Sequence, residues 1–136
     1  MITHLRKKRF IMEFNSSQNI VLTKSKDFAL RIIKLYNHLT KYKTEYIISK
    51  QIFRCGTSIG ANIAESVYAQ SHDDFISKLS IALKEASETK YWLELLFEAG
   101  YIDKTAYESI YSDCIELIKI LTSIVKTSKE KRKTKP

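Results

Sequence analysis

The sequence has almost none of the residues that turn or break a chain: three glycines and one proline, the last residue, in 136 positions. A sheet needs such punctuation between its strands. Its scarcity, with Lys, Glu, Leu, Ile and Ala running throughout, points to helix. The two cysteines, Cys55 and Cys114, lie far apart and form no paired spacing of the kind a zinc knuckle uses. No apolar run approaches the roughly 20 residues of a membrane span. The basic N-terminus lacks the apolar segment that would follow it in an export signal. A cytoplasmic protein without membrane contact is expected. Missing too are a Gly-rich phosphate loop, a His-Glu-x-x-His helix and any recognisable nucleophile motif. Di-iron bundles place Glu three residues before His, but Leu35 and Ala69 precede His38 and His72 at that distance. The expectation is no catalytic residue, no metal, no cofactor and no enzyme.

What the chain does have is apolar residues at helical period, 44% of the total and enough for one bundle core. Ser25 is a candidate cap for a first helix over about 26–39, with Phe28, Ile32, Leu35, Tyr36 and Leu39 on one stripe. A polar turn from Thr40 to Glu45 leads to a second helix over about 46–69 carrying Ile48, Ile52, Cys55, Ile59 and Ile63. Ser71 and Asp74 form a capping pattern for a third over about 73–99, with Phe75, Leu79, Leu83, Ala86, Leu93 and Phe97. Gly100 sits where a terminating glycine belongs, and Asp103 can cap a fourth helix over about 104–128 bearing Ile110, Cys114, Leu117, Leu121 and Ile124. Three short connections make antiparallel neighbours, so the predicted fold is an all-α, up-down-up-down four-helix bundle. Residues 25–128 form this bundle, 1–24 a partly disordered N-terminal extension and 129–136 a basic C-terminal tail; Met12 offers a second start.

The formal charge of +8 is unevenly spread. Residues 1–10 carry +4 and residues 126–136 carry +5. Between them, residues 11–59 hold eight basic and three acidic groups, whereas residues 60–125 hold five basic and eleven acidic. Opposite halves can pair within a chain or between copies. Apolar surplus points the same way: Trp92 and Leu96 on the third helix and Ile115 on the fourth exceed what one stripe needs, so a contact between subunits is expected there.

The second helix is the most distinctive. Gly56, Gly60 and Ala64 recur every four residues, which lets another helix approach closely despite a cost of about 1 kcal/mol per mid-helix glycine. On the other flank lie Arg54, Ser58 and Glu65, with Asn62 at the border of the apolar stripe. An Arg–Glu pair and a hydrogen-bonded Asn that tie helices together are expected there.

Gln51-Ile52-Phe53-Arg54 and Ser58-Ile59-Gly60-Ala61-Asn62-Ile63-Ala64-Glu65, with Phe28 to Tyr36 before them and Ala82 to Thr89 after, carry a resemblance over roughly Ser25 to Thr127. The chain resembles the four-helix-bundle proteins grouped with the 23S ribosomal RNA intervening-sequence proteins and the accessory proteins of diversity-generating retroelements. Where the family pattern continues with Gly, this chain has Ser66. The resemblance implies a homo-oligomeric ring, typically a pentamer, that uses basic surface for RNA or DNA and, in retroelement members, for a reverse transcriptase. It brings no catalytic residue. The candidate nucleic-acid contacts are Arg31, Lys34, Lys41, Lys43, Lys50 and Arg54, with Lys126, Lys129, Lys131, Arg132 and Lys133 in the tail. Two other readings stay open. One is a protein-interaction bundle whose lysines only solubilise. The other rests on Arg31 and His38, whose Arg-x6-His spacing is similar to that of HEPN-type helical ribonucleases.

Overall fold

No proline or glycine precedes Gly56, so nothing upstream of Ser25 forces the first helix to begin there. The computed structural model describes the backbone of residues 2–133 and the side chains of residues 19–132. In it one helix, α1, runs Ile2–Tyr42, followed by α2 (Ile48–Ser66), α3 (His72–Glu98) and α4 (Lys104–Lys133). Each helix packs on its neighbours in sequence, and α1 meets α4 more sparsely to close the bundle. This is the up-down-up-down arrangement that the short connections require. No helix among the described residues is long and apolar enough to cross a membrane.

The predicted stripes form the core. Phe28, Ile32 and Leu39 of α1 meet Ile52, Ile59 and Ile63 of α2, Phe75, Leu79 and Leu93 of α3, and Leu117 and Leu121 of α4, all buried. Each such side chain contributes roughly 1.5–3 kcal/mol by leaving water. Three predicted terminators also hold. Ser71 Oγ accepts from the Asp74 amide at 3.0 Å. Gly100 adopts φ +84°, and the Tyr101 amide reaches back to the Leu96 carbonyl, ending α3 in a left-handed turn. Asp103 Oδ1 accepts from the Ala106 amide at the start of α4.

Ser25 does not cap α1. It is buried inside the helix and donates to the Leu22 carbonyl at 2.9 Å, the local bond by which a helical serine satisfies its own hydroxyl. Val21 is already fully buried, so packing begins before residue 25. The cluster Arg6 to Arg9 falls outside the described side chains. The α4 helix likewise outruns its expected end at residue 128. Ser128 is buried, its carbonyl lies 2.8 Å from His72 Nε2, and Arg132 holds Asp73 at 2.9 Å. Those two contacts fasten the start of the basic tail to the first turn of α3.

The small residues of α2 face α1. A Cβ on Gly56 would stand 2.7 Å from Ile32 Cγ1, a branch atom of a fully buried side chain. At Gly60 the Ser25 hydroxyl is 3.2 Å away. Ala64 is exposed and takes no part in this approach. Gly56→Ala is therefore expected to cost about 1–2 kcal/mol, because overpacking outweighs the gain of about 1 kcal/mol in helix propensity. A urea midpoint that stays level or rises would show that Ile32 yields freely.

Candidate nucleic-acid interface

On α1, Arg31, Lys34, His38 and Lys41 follow one another at spacings of three, four and three residues, which places them on one face. That face borders α4 across a groove of about 370 Å³ lined by Arg31, Lys34, Leu35, His38, Ile102, Asp103, Ala106 and Ile110. Within it the charges differ in availability. Arg31 is held by Asp113 at 2.6 Å and by Ser109 Oγ at 3.0 Å. Asp103 is occupied capping α4. Lys34 is exposed, and so is His38, whose ring lies 5.7 Å from that of Tyr42. Lys41 Nζ sits 5.6 Å from the same Tyr42 ring.

The strip continues into the α1–α2 turn, and there a residue without a predicted role decides the electrostatics. Glu45 folds inward, only 7% exposed, and its carboxylate accepts from the amides of Ile47, Ile48 and Ser49 at 2.7–2.9 Å. It thereby satisfies the free N–H groups at the start of α2, which begins at Ile48 rather than at 46. Burial alone would raise its pKa, but the backbone N–H groups outweigh burial and hold the carboxyl below its ordinary range. The acid of the turn is thus hidden, while Lys43 and Lys50 stay at the surface. Tyr42, Tyr46 and Ile47 project beside them, 69%, 55% and 78% exposed. Lys34, Lys41, Lys43 and Lys50 make no ion pair among the described residues.

The remaining candidates do not join this end. Arg54 faces α3 and pairs with Glu88 at 3.3 Å; Glu65 pairs with Lys78 of α3, so each ties α2 to α3 and they do not pair with each other. Asn62 donates to the Ser58 carbonyl within its own helix, not across helices. Lys126, Lys129, Lys131 and Arg132 lie toward the far end of α4, about 35 Å from its first turn at 1.5 Å per residue. The Lys133 side chain falls outside the described ones. Of the surplus apolar residues, Leu96 is fully buried in the core and Trp92 packs against it, while Ile115 is half-buried. Exposed apolar side chains include Leu30 and Ile33 of α1, Phe53 of α2, and Ile81 and Tyr91 of α3.

One cluster with ligand chemistry had no sequence motif. The sulfur of Cys55 and one carboxylate oxygen each of Glu85 and Glu88 lie within 4.8 Å of one another on the α2–α3 wall. The only trace of it in the sequence is the i, i+3 pair of glutamates on α3.

The sequence model of the 23S rRNA-intervening sequence proteins matches residues 17–123, well over half of the chain. The chain belongs to this family. A crystal structure of a Bacteroides thetaiotaomicron protein of unknown function, from the S23 ribosomal protein family, shares the bundle at a TM-score of 0.80 and 55% identity, covering 81% of this chain and 98% of that one. A search of curated proteins finds no match. The 23S rRNA-intervening sequence protein match takes in the α1 strip, the α1–α2 turn and the α2–α3 wall but ends before Lys126. The basic tail lies outside the matched residues.

Proposed function

We propose that this bundle is a non-catalytic accessory protein that binds single-stranded nucleic acid, RNA or DNA, along the basic strip of α1 and across the α1–α2 turn. The observation that carries this reading is the composition of that turn: lysines without an ion pair among the described residues, exposed tyrosines between them, and the local glutamate folded onto backbone amides. Lysines neutralise phosphates, and tyrosines stack on unpaired bases that a duplex would keep out of reach. The family's name associates it with an RNA, in keeping with this chemistry. In the same proposal several copies form a ring, pentameric as the resemblance implies. Exposed Leu30, Ile33 and Phe53 supply contact surface, and the basic ends face a strand or a reverse transcriptase working on it.

The test is a binding titration of the full chain with a single-stranded RNA over a range of salt. Four phosphate contacts on a single strand give a slope of roughly −3 in log K against log salt. Absence of salt-dependent binding at micromolar protein would sink the proposal. A second reading draws on the placement of Arg31 and His38 in one groove, which suits phosphodiester cleavage, although Arg31 is committed to Asp113. RNA cleavage that disappears in His38→Ala would replace the binding role by this one.

A further inference from the structure

The α2–α3 wall brings a thiol and two carboxyl groups together. Cys55 is fully buried, and its sulfur lies 3.1 Å from the Thr89 hydroxyl. Glu85 and Glu88 stand one turn apart on α3 and point the same way, so that a ligand atom of each lies within 4.8 Å of that sulfur and of the other. Glu85 Oε2 is buried and has no hydrogen-bond partner. A pair of carboxylates at this spacing repels, and an orphaned buried oxygen costs stability. Burial and then the charge of Glu88 push the Glu85 carboxyl up, and burial pushes the Cys55 thiol up to about 11. The charge of Arg54 offsets part of this, and its hydrogen bonds go to Glu88, at 3.3 Å.

We propose that Cys55, Glu85 and Glu88 bind one divalent cation of the zinc type. One sulfur and two oxygens from rigid helices make three of the four ligands that zinc takes, and a solvent water would supply the fourth. A thiolate among the donors favours zinc over magnesium or calcium, which take oxygen. Donors about 2.0–2.3 Å from a tetrahedral metal lie roughly 3.5 Å apart, so the half-buried glutamates close by a rotamer adjustment. On binding, the thiol proton and any proton on Glu85 pass to solvent, and the cation neutralises the thiolate and the two carboxylates that it draws together. The metal then fastens α2 to α3.

Cobalt(II) serves as the probe, because a cobalt–thiolate bond absorbs by charge transfer in the near ultraviolet. The full chain, reduced and metal-free, is expected to develop that band with saturation at one equivalent, to lose it on adding zinc, and to melt higher with zinc than without. Cys55→Ser removes the band. Cys114→Ser keeps it, since the Cys114 thiol lies against the Ala86 carbonyl instead. Glu88→Gln, at a partly exposed position that leaves the fold intact, weakens cobalt binding by at least about tenfold. Arg54→Gln tightens it by removing a competing cation. No band at one equivalent, a band that survives Cys55→Ser, or affinity untouched by Glu88→Gln overturns the proposal.

Discussion

Reversing Lys34, Lys41, Lys43 and Lys50 to glutamate together is expected to weaken binding of single-stranded RNA by at least several hundredfold at 0.1 M salt. Each single-strand phosphate contact contributes a slope of about 0.7, so at one decade below 1 M salt the loss of four contacts costs roughly 600-fold, before any repulsion by the new carboxylates. The fold is expected to survive, because all four side chains are exposed and none holds an ion pair among the described residues. The tail gives the control. Truncation there would also remove the Ser128–His72 and Arg132–Asp73 contacts, so neutral glutamines at Lys126 and Lys129 test charge without disturbing α3. They stand about 35 Å along α4 from its first turn, several Debye lengths at this salt, and are expected to leave the slope close to that of the parent chain. Equal losses at the two ends would mean that the basic groups act only as a diffuse cloud.

How far such a surface can be read from sequence depends on what sets each part of it. The apolar stripes were legible because period 3.6 allows one buried face, and every fully buried residue on the predicted α2 stripe from Ile52 to Ile63 came from that rule. The caps at Ser71, Asp103 and Gly100 were legible because their bonds are local. The start of α1 was not, since a serine bonds equally well to an amide ahead or a carbonyl behind. Which cations are spent was also hidden. Arg31, Arg54 and Arg132 look like surface charge until helix rotation brings Asp113, Glu88 and Asp73 to within 2.6–3.3 Å of them. Lysines 41, 43 and 50 lie in the last turn of α1, the α1–α2 turn and the first turn of α2, and make no ion pair among the described residues. The same rotation assembled Cys55 with Glu85 and Glu88 from positions thirty residues apart, a juxtaposition that no spacing rule on one helix reveals.

Glu45→Ala tests whether the turn is shaped from within. Its carboxylate takes three amides at the head of α2, and the Glu45 amide itself bonds the Leu39 carbonyl at the end of α1, so one residue closes both helices. Truncation leaves three amides without their acceptor and is expected to cost about 2 kcal/mol at pH 7, the upper end of the capping range. The pH dependence follows from the depressed pKa. A carboxyl held below its unfolded value of about 4.3 contributes fully above that pH and loses its contribution as pH falls through the folded value. The stability gap between parent and variant, measured by urea unfolding, therefore narrows below about pH 4, and a gap constant from pH 7 to pH 3 would contradict the charged cap. Glu45→Gln is expected to fall between the two, because its single amide oxygen can accept from Ile47 and Ile48 without the charge, while its NH2 cannot accept from Ser49. Binding follows the same order even though Glu45 touches no ligand: a loosened turn spreads Lys43, Tyr46 and Lys50 over many arrangements, and the entropy of collecting them again is charged to the complex.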